Sequence, residues 1–150
     1  FLGIDDNKFN QALIVRSAQV HALMPMMQFS VAPWRVLNKE NQEIVLNAAL
    51  LHTQFAPYIM QYARNAAQTG EPIVRSMEYM FPHQGFATCK DQFMLGEKYL
   101  VAPVVTDELQ RSVTLPKGTW RDDTGKKYRG GKTYTISVPL SRLPYFEKIK

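Results

Sequence analysis

The chain reads as an α+β protein, two helices followed by a small antiparallel β domain, with the change of character near Gly70. Three observations predict this. A stripe of apolar residues at helical spacing runs through 41–69. After Gly70 the content of Pro, Gly and β-branched residues rises and the segments shorten to strand length. Within that second part Tyr134, Ile136 and Val138 alternate with Thr135 and Ser137, the period of a half-buried strand.

The first helix is expected over 7–24. Asp6 or Asn7 would cap it by accepting a bond from an unpaired first-turn amide. Phe9, Leu13, Val20 and Met24 mark one face, and Ala12 and Ala18 permit close approach of a neighbour. Pro25 ends the helix, since it lacks an amide hydrogen and disfavours helix in the residue before it. An irregular stretch follows over 25–39, PMMQFSVAPWRVLNK, whose Met and aromatic content predicts a packed rather than a solvated loop. The second helix carries Ile44, Val45, Ala48, Leu51, Phe55, Ile59, Tyr62 and Ala66 on its stripe, and Gly70 is its expected C-terminal cap. Pro57 predicts a kink or a break near Phe55. Strands are expected over 73–77, 99–105, 111–115, 133–138 and 145–149, with turns at Lys117-Gly118, Thr124-Gly125 and Gly130-Gly131.

Composition narrows the class. At 45% hydrophobic and 21% charged residues over 150 positions, the chain has the profile of a globular protein of one domain or two small ones. The longest apolar runs, IVLNAALL and YLVAPVV, fall short of the roughly 18 residues that a membrane span requires. A single cysteine, Cys89, excludes an internal disulfide and a cysteine-rich zinc site. The net charge of +5 permits an anionic partner without arguing for one. The opening Phe1-Leu2-Gly3 has neither an initiator Met nor a basic leader, and reads as a piece of something longer or as a processed product.

Few residues pattern as chemistry. Asp5-Asp6 reads as a capping pair, because adjacent side chains point apart. His21, His52 and His83 stand alone, without the spacing of metal ligands. Cys89 with His83 offers a nucleophile and a base but no orienting third group. The basic cluster Lys126-Lys127-Tyr128-Arg129 with Lys132 is explained by a solvated hairpin tip, and nucleic acid is not expected as a partner. The remaining outlier is the loop from Met26 to Trp34. Its aromatic faces suit sugar C–H surfaces and its Gln28 and Ser30 suit hydroxyls, while a buried helix connection would account for the same composition.

Five stretches, in order, resemble the C-terminal part of glycoside hydrolase family 31, the α-glucosidase and α-xylosidase family. They are RSAQVHALMPMMQFS at 16–30, FAPY at 55–58, GEPIVR at 70–75, DQFMLG at 91–96 with LVAPV at 100–104, and LPKGTW at 115–120. The resemblance implies that 1–70 hold the last helices of a (β/α)8 barrel and 71–150 a small proximal β-sandwich. It implies a retaining hydrolysis of α-glycosidic bonds by two aspartates upstream of the matched region, with an oligosaccharide or glycoside as substrate, the upstream barrel as intramolecular partner, and no cofactor or metal. No aspartate here falls in either catalytic motif, Asp5 and Asp91 included. Gln28, Ser30 and Trp34 are the residues expected nearest the sugar. Two departures bear on the pocket: Ser30 stands where the family usually has a hydroxyl-binding His, and Ser17 where it has Trp. The string QFS-x-x-P-W resembles a branch associated with α-galactosides. The competing expectation is a non-catalytic carbohydrate-binding or structural β module on a helical stalk.

Overall fold

Asn10 opens the first helix, its Oδ1 accepting the Leu13 amide at 3.1 Å. The structure, a computed structural model, describes residues 10–150; the expected caps Asp6 and Asn7 and the stripe residue Phe9 lie outside them. Helix α1 spans Gln11–Ala22. It buries Val15, Ala18, Gln19 and Ala22, whereas Leu13 is 63% exposed. The expected stripe of Leu13, Val20 and Met24 is therefore displaced around the helix. The reason is polar: Arg16 and Gln19 carry the inward face. Arg16 donates to the carbonyls of Val138 at 2.7 Å and Arg142 at 3.0 Å, and Gln19 donates to that of Leu140 at 2.7 Å. A hydropathy stripe cannot register a face held by hydrogen bonds to a distant loop.

The 25–39 stretch is packed as expected but not wholly irregular. Pro33 starts a single helical turn, α2 (Pro33–Val36), where its fixed φ fits and its missing amide costs nothing. Asn38 then caps α3 (Lys39–Thr69), accepting the Asn41 amide at 2.8 Å. The 31-residue helix continues through Pro57 without the expected break. Its last turn is closed by Gly70 at φ 77, whose amide reaches the Ala66 carbonyl at 2.9 Å. Ala18, Ala22 and Ala48 let α1 and α3 approach closely, with Val15, Leu23, Leu37 and Val45 filling the seam.

Eight strands follow. β1 (Val74–Ser76), β2 (Phe93–Leu95), β3 (Tyr99–Val101), β5 (Thr119–Asp122), β6 (Lys127–Arg129) and β8 (Tyr145–Lys148) form one antiparallel sheet in the order 1-2-3-8-5-6. β4 (Gln110–Leu115) pairs only with β7 (Lys132–Ser137). The expected strand at 99–105 stops at Val101, and the one at 73–77 gives way to a helical turn, α4 (Met77–Met80), which Ser76 caps. The sequence reading missed β2, β5 and β6. Each is only three or four residues long, too short for a period to declare itself.

Alternation along the large sheet separates two cores. Met94, Leu100, Trp120 and Phe146 point toward Val113, Leu115 and Ile136 of the β4–β7 pair, which makes the sandwich. Leu95, Tyr99, Val101 and Tyr145 point the other way, onto Leu51, Phe55, Tyr58 and Ile59 of α3. The sheet thus has a helix on one face and a second sheet on the other. Phe55 meets Tyr99 edge-on at 4.8 Å between centroids and Tyr145 at 5.6 Å.

One polar knot sits at the β5–β6 turn. Asp122, 6% exposed, accepts from the Thr124 amide at 3.0 Å, the Thr124 hydroxyl at 2.7 Å, the Lys126 amide at 3.0 Å and the Tyr128 hydroxyl at 3.0 Å. Arg142 donates to it at 3.1 Å and grips Asp123 through Nε at 2.9 Å and Nη2 at 2.8 Å. Burial alone would raise the Asp122 carboxyl; the bonds from Thr124, Tyr128 and Lys126 outweigh it and hold the group below the usual range. Burial and the bond to Asp122 push Tyr128 up to about 12.

Candidate functional site

The loop between α1 and α2 forms a cleft of about 320 Å³. One wall is the outer side of α1, with Ile14, Ser17, Ala18 and His21; the other is the loop itself, with Met27, Gln28, Phe29 and Ser30. Opposite faces of one helix therefore do different work: Arg16 and Gln19 fasten α1 to the β side, which fixes the rotation that aims Ser17 and His21 into the cleft. Met27 anchors the loop by packing against both helical cores. The His21 ring bonds the Ser17 carbonyl at 2.7 Å, and the His52 ring bonds that of Ala22 at 3.0 Å where α1 ends.

Gln28 and Ser30 share this cleft, and both are exposed. Trp34 does not. It lies 73% exposed in an adjoining apolar groove of about 330 Å³, with Gln42, Val45 and Leu46 of α3. Phe29 and Pro33 line both cavities and form the partition between them. Among the described residues no Asp or Glu lines either cavity. The cleft can position a hydroxyl-rich ligand, but its walls supply no acid–base pair. The sequence reading found Gln28 and Ser30 through the loop's unusual composition and missed Ser17 and His21 as cleft residues. Position i, i+4 on the outer side of α1 was the available signal.

The other sequence candidates fall to structural duties. Asp91 pairs with Arg111 at 2.8 Å and faces Cys89, whose thiol reaches its carboxylate at 3.8 Å. Burial raises the Cys89 pKa, the wrong direction for a thiolate nucleophile. Among the described residues no group of three or more His, Cys, Asp or Glu could hold a metal ion. The basic cluster forms the β5–β6 hairpin, with Tyr128 turned into the core and Lys126 Nζ 5.1 Å over its ring. Among the described residues no helix is long and apolar enough to cross a membrane.

The helix–sheet–sheet fold thus carries at its helical edge a cleft whose walls mix apolar side chains with Ser17, His21, Gln28 and Ser30. The glycosyl hydrolase family 31 C-terminal domain model matches residues 70–149. Mouse myogenesis-regulating glycosidase is 38% identical over 142 residues, covering 89% of this chain and 19% of its own length. Alpha-glucosidase 2 of Bacillus thermoamyloliquefaciens is 30% identical over 149 residues, covering 93% and 19%. A Flavobacterium johnsoniae family 31 dextranase complexed with isomaltotriose superposes with a TM-score of 0.87 at 32% identity, over 92% of this chain and 18% of that one. The chain belongs to glycoside hydrolase family 31. It spans about a fifth of the length of these curated relatives.

Proposed function

We propose that this chain is the C-terminal part of a retaining α-glycosidase. In this reading residues 1–70 complete a (β/α)8 barrel, residues 71–150 form the proximal sandwich, Gln28 and Ser30 contact the sugar at the barrel's edge, and Trp34 flanks it from the adjoining groove. Two aspartates in the upstream barrel would carry nucleophilic and general acid/base roles, about 5 Å apart as retention requires. The observation that carries the reading is the meeting of Ser17 and Ser30 in one cleft. These are the two positions where the chain departs from the family pattern by exchanging a ring for a hydroxyl, so both departures reshape the same pocket. A short serine cannot take the charge of a histidine, so the sugar's hydroxyls would be met by neutral donors. That suits a galactoside or glucoside whose ring sits differently from the family's usual one.

The full-length protein should hydrolyse an α-linked aryl galactoside or glucoside with retention of configuration, read by proton NMR of the first-formed anomer. Inversion, or no turnover of either substrate together with tight oligosaccharide binding, would sink the hydrolase reading in favour of a non-catalytic module. A Gln28→Ala, Ser30→Ala double variant should lower kcat/KM about 5–150-fold, since each hydrogen bond to a substrate is worth about 0.5–1.5 kcal/mol net and two are removed. Tm should stay near wild type because both side chains are exposed. Unchanged kinetics would remove them from the pocket.

The upstream barrel also accounts for the apolar side chains left uncovered on the helical layer: Leu13 at 63%, Met26 at 79%, Leu46 at 58% and Met60 at 52% exposure. Produced alone, residues 1–150 should self-associate at micromolar concentration and bind hydrophobic dyes. A dye-excluding monomer in sedimentation velocity would count against a missing partner surface.

A further inference from the structure

We propose that a second cleft, on the sandwich and away from the helical layer, binds a tetrahedral oxyanion, as the phosphate or sulfate group of a larger ligand. It occupies about 320 Å³ where three segments meet: the end of β4, the start of β7 and the turn at 82–84. Lys117 and Lys132 line it together with His83, Gln84 and Thr133. No carboxylate does. Elsewhere on this domain five cations are held by carboxylates: Arg75 by Glu71 and Glu97, Arg111 by Asp91, Arg142 by Asp122 and Asp123, Lys98 and Arg121 by Glu147; Lys90, Lys126, Lys127, Arg129, Lys148 and Lys150 are unpaired among the described residues but line no part of this cleft. Lys117 and Lys132 form no ion pair among the described residues.

The backbone holds these like charges together against their repulsion. Lys132 is the cross-strand partner of Leu115, two residues before Lys117, and the Gly131 amide bonds the Leu115 carbonyl at 2.8 Å. The Lys117 amide donates to Gln84 Oε1 at 3.3 Å, which ties the 82–84 turn to the same rim. That leaves the Gln84 Nε2 donor without a protein acceptor among the described residues. His83 stands on the same rim. It sits at φ 62, the one described residue other than glycine with a positive φ, in a turn led by Pro82 whose third position normally takes Gly or Asn. Glu78 holds this turn through the His83 amide at 3.2 Å, and the left-handed backbone places the imidazole on the cationic rim. The lining thus offers ammonium, amide and hydroxyl groups, the recognition chemistry of an oxyanion, while the neighbouring Glu78 carboxylate is engaged by the His83 amide. The volume is about ten times the ~30 Å³ share of one water, so part of the group attached to the anion enters with it.

The test is titration of the full-length protein by calorimetry in about 20 mM salt, where screening is weak. The probes are inorganic phosphate, inorganic sulfate, a sulfated heparin hexasaccharide and neutral isomaltotriose. Saturable binding of the anionic probes is expected, weakened at least about tenfold by a Lys117→Ala, Lys132→Ala double variant and restored by Lys117→Arg, Lys132→Arg. A hexasaccharide that binds more tightly than inorganic sulfate supports a larger esterified ligand; equal affinities overturn that part of the proposal. His83→Gly should raise Tm while weakening binding, since glycine suits the left-handed backbone and the imidazole is lost from the rim. Absence of saturable anion binding, or affinity indifferent to the lysine pair, overturns the proposal.

Discussion

Trp120→Ala should remove a large share of the β-sandwich's stability while leaving it folded at room temperature unless the domain is only marginally stable. The indole is fully buried, lies edge-on to Phe81 at 6.3 Å, and donates through Nε1 to the Pro116 carbonyl at 2.8 Å. Truncating a buried Trp to Ala costs about 3–5 kcal/mol, against a total stability of roughly 5–15 kcal/mol for an ordinary domain. The loss here reaches the upper part of that range, because the abandoned carbonyl is buried beside the cavity. Trp120→Phe keeps most of the volume and loses the hydrogen bond, so about 1–2 kcal/mol is expected. Urea denaturation followed by far-UV circular dichroism measures both. Fluorescence gives a second view: of the two tryptophans only Trp34 would remain, and its exposure predicts red-shifted emission in the folded variant. A Trp120→Ala midpoint within about 1 kcal/mol of wild type would contradict the packing described for the sandwich.

Asp122→Ala should cost a comparable amount by a different route. No cavity of consequence forms, but the Tyr128 hydroxyl and the amides of Thr124 and Lys126 lose their acceptor. The buried Tyr128 hydroxyl left unpaired costs about 1–3 kcal/mol and the two part-buried amides, which water can reach, add less, so roughly 2–4 kcal/mol is expected even though Arg142 keeps Asp123. The same group sets a pH dependence. Its carboxyl is held below its unfolded value, as is that of Glu147 through the hydrogen bonds of Lys98 and Arg121. A lowered carboxylate pKa contributes stability that is complete above the unfolded value of about 4 and is lost as pH falls through the folded one. Wild-type stability should therefore be flat from about pH 7 to 5 and drop below about pH 4. Asp122→Ala, already weaker at neutral pH, should drop less steeply over the acid limb. Equal acid slopes in the two proteins would show that Asp122 is not depressed on folding.

The helices and long strands were legible because their signals are local. Gly70 closes α3 with capping chemistry visible in the sequence, and the alternation of 134–138 marks β7; the Asn38 cap goes unread, so the expected helix start falls at 41 instead of 39. The rest of what escaped was set by distant partners. The inward face of α1 is chosen by carbonyls more than 120 positions away, so a stripe of Leu13 and Val20 misled. β5 was hidden because Trp120 and Asp122, which share its buried face, differ entirely in polarity. The Asp122–Arg142 knot has a weak local trace, the turn sequence Asp-Asp-Thr-Gly, but its arginine lies 20 positions on. At the helical edge, composition singled out Gln28, Ser30 and Trp34 together; the α2 turn carries Trp34 past the partition of Phe29 and Pro33 into the adjoining groove, which spacing in the sequence could not show.

The bonds of Arg16 to the Val138 and Arg142 carbonyls also set a clock. They span 122 and 126 positions, nearly the whole chain. During synthesis at about 5–20 residues per second, α1 leaves the ribosome on the order of 10 s before the carbonyls it needs have been made. Through that interval an arginine destined for a partly buried niche stays hydrated, and the α1–α3 seam has no sheet to close against. The nascent helical layer thus stays open on this side until residue 142 emerges. Slow codons placed between α3 and β8 would lengthen that wait and lower the yield of folded protein without altering a single side chain.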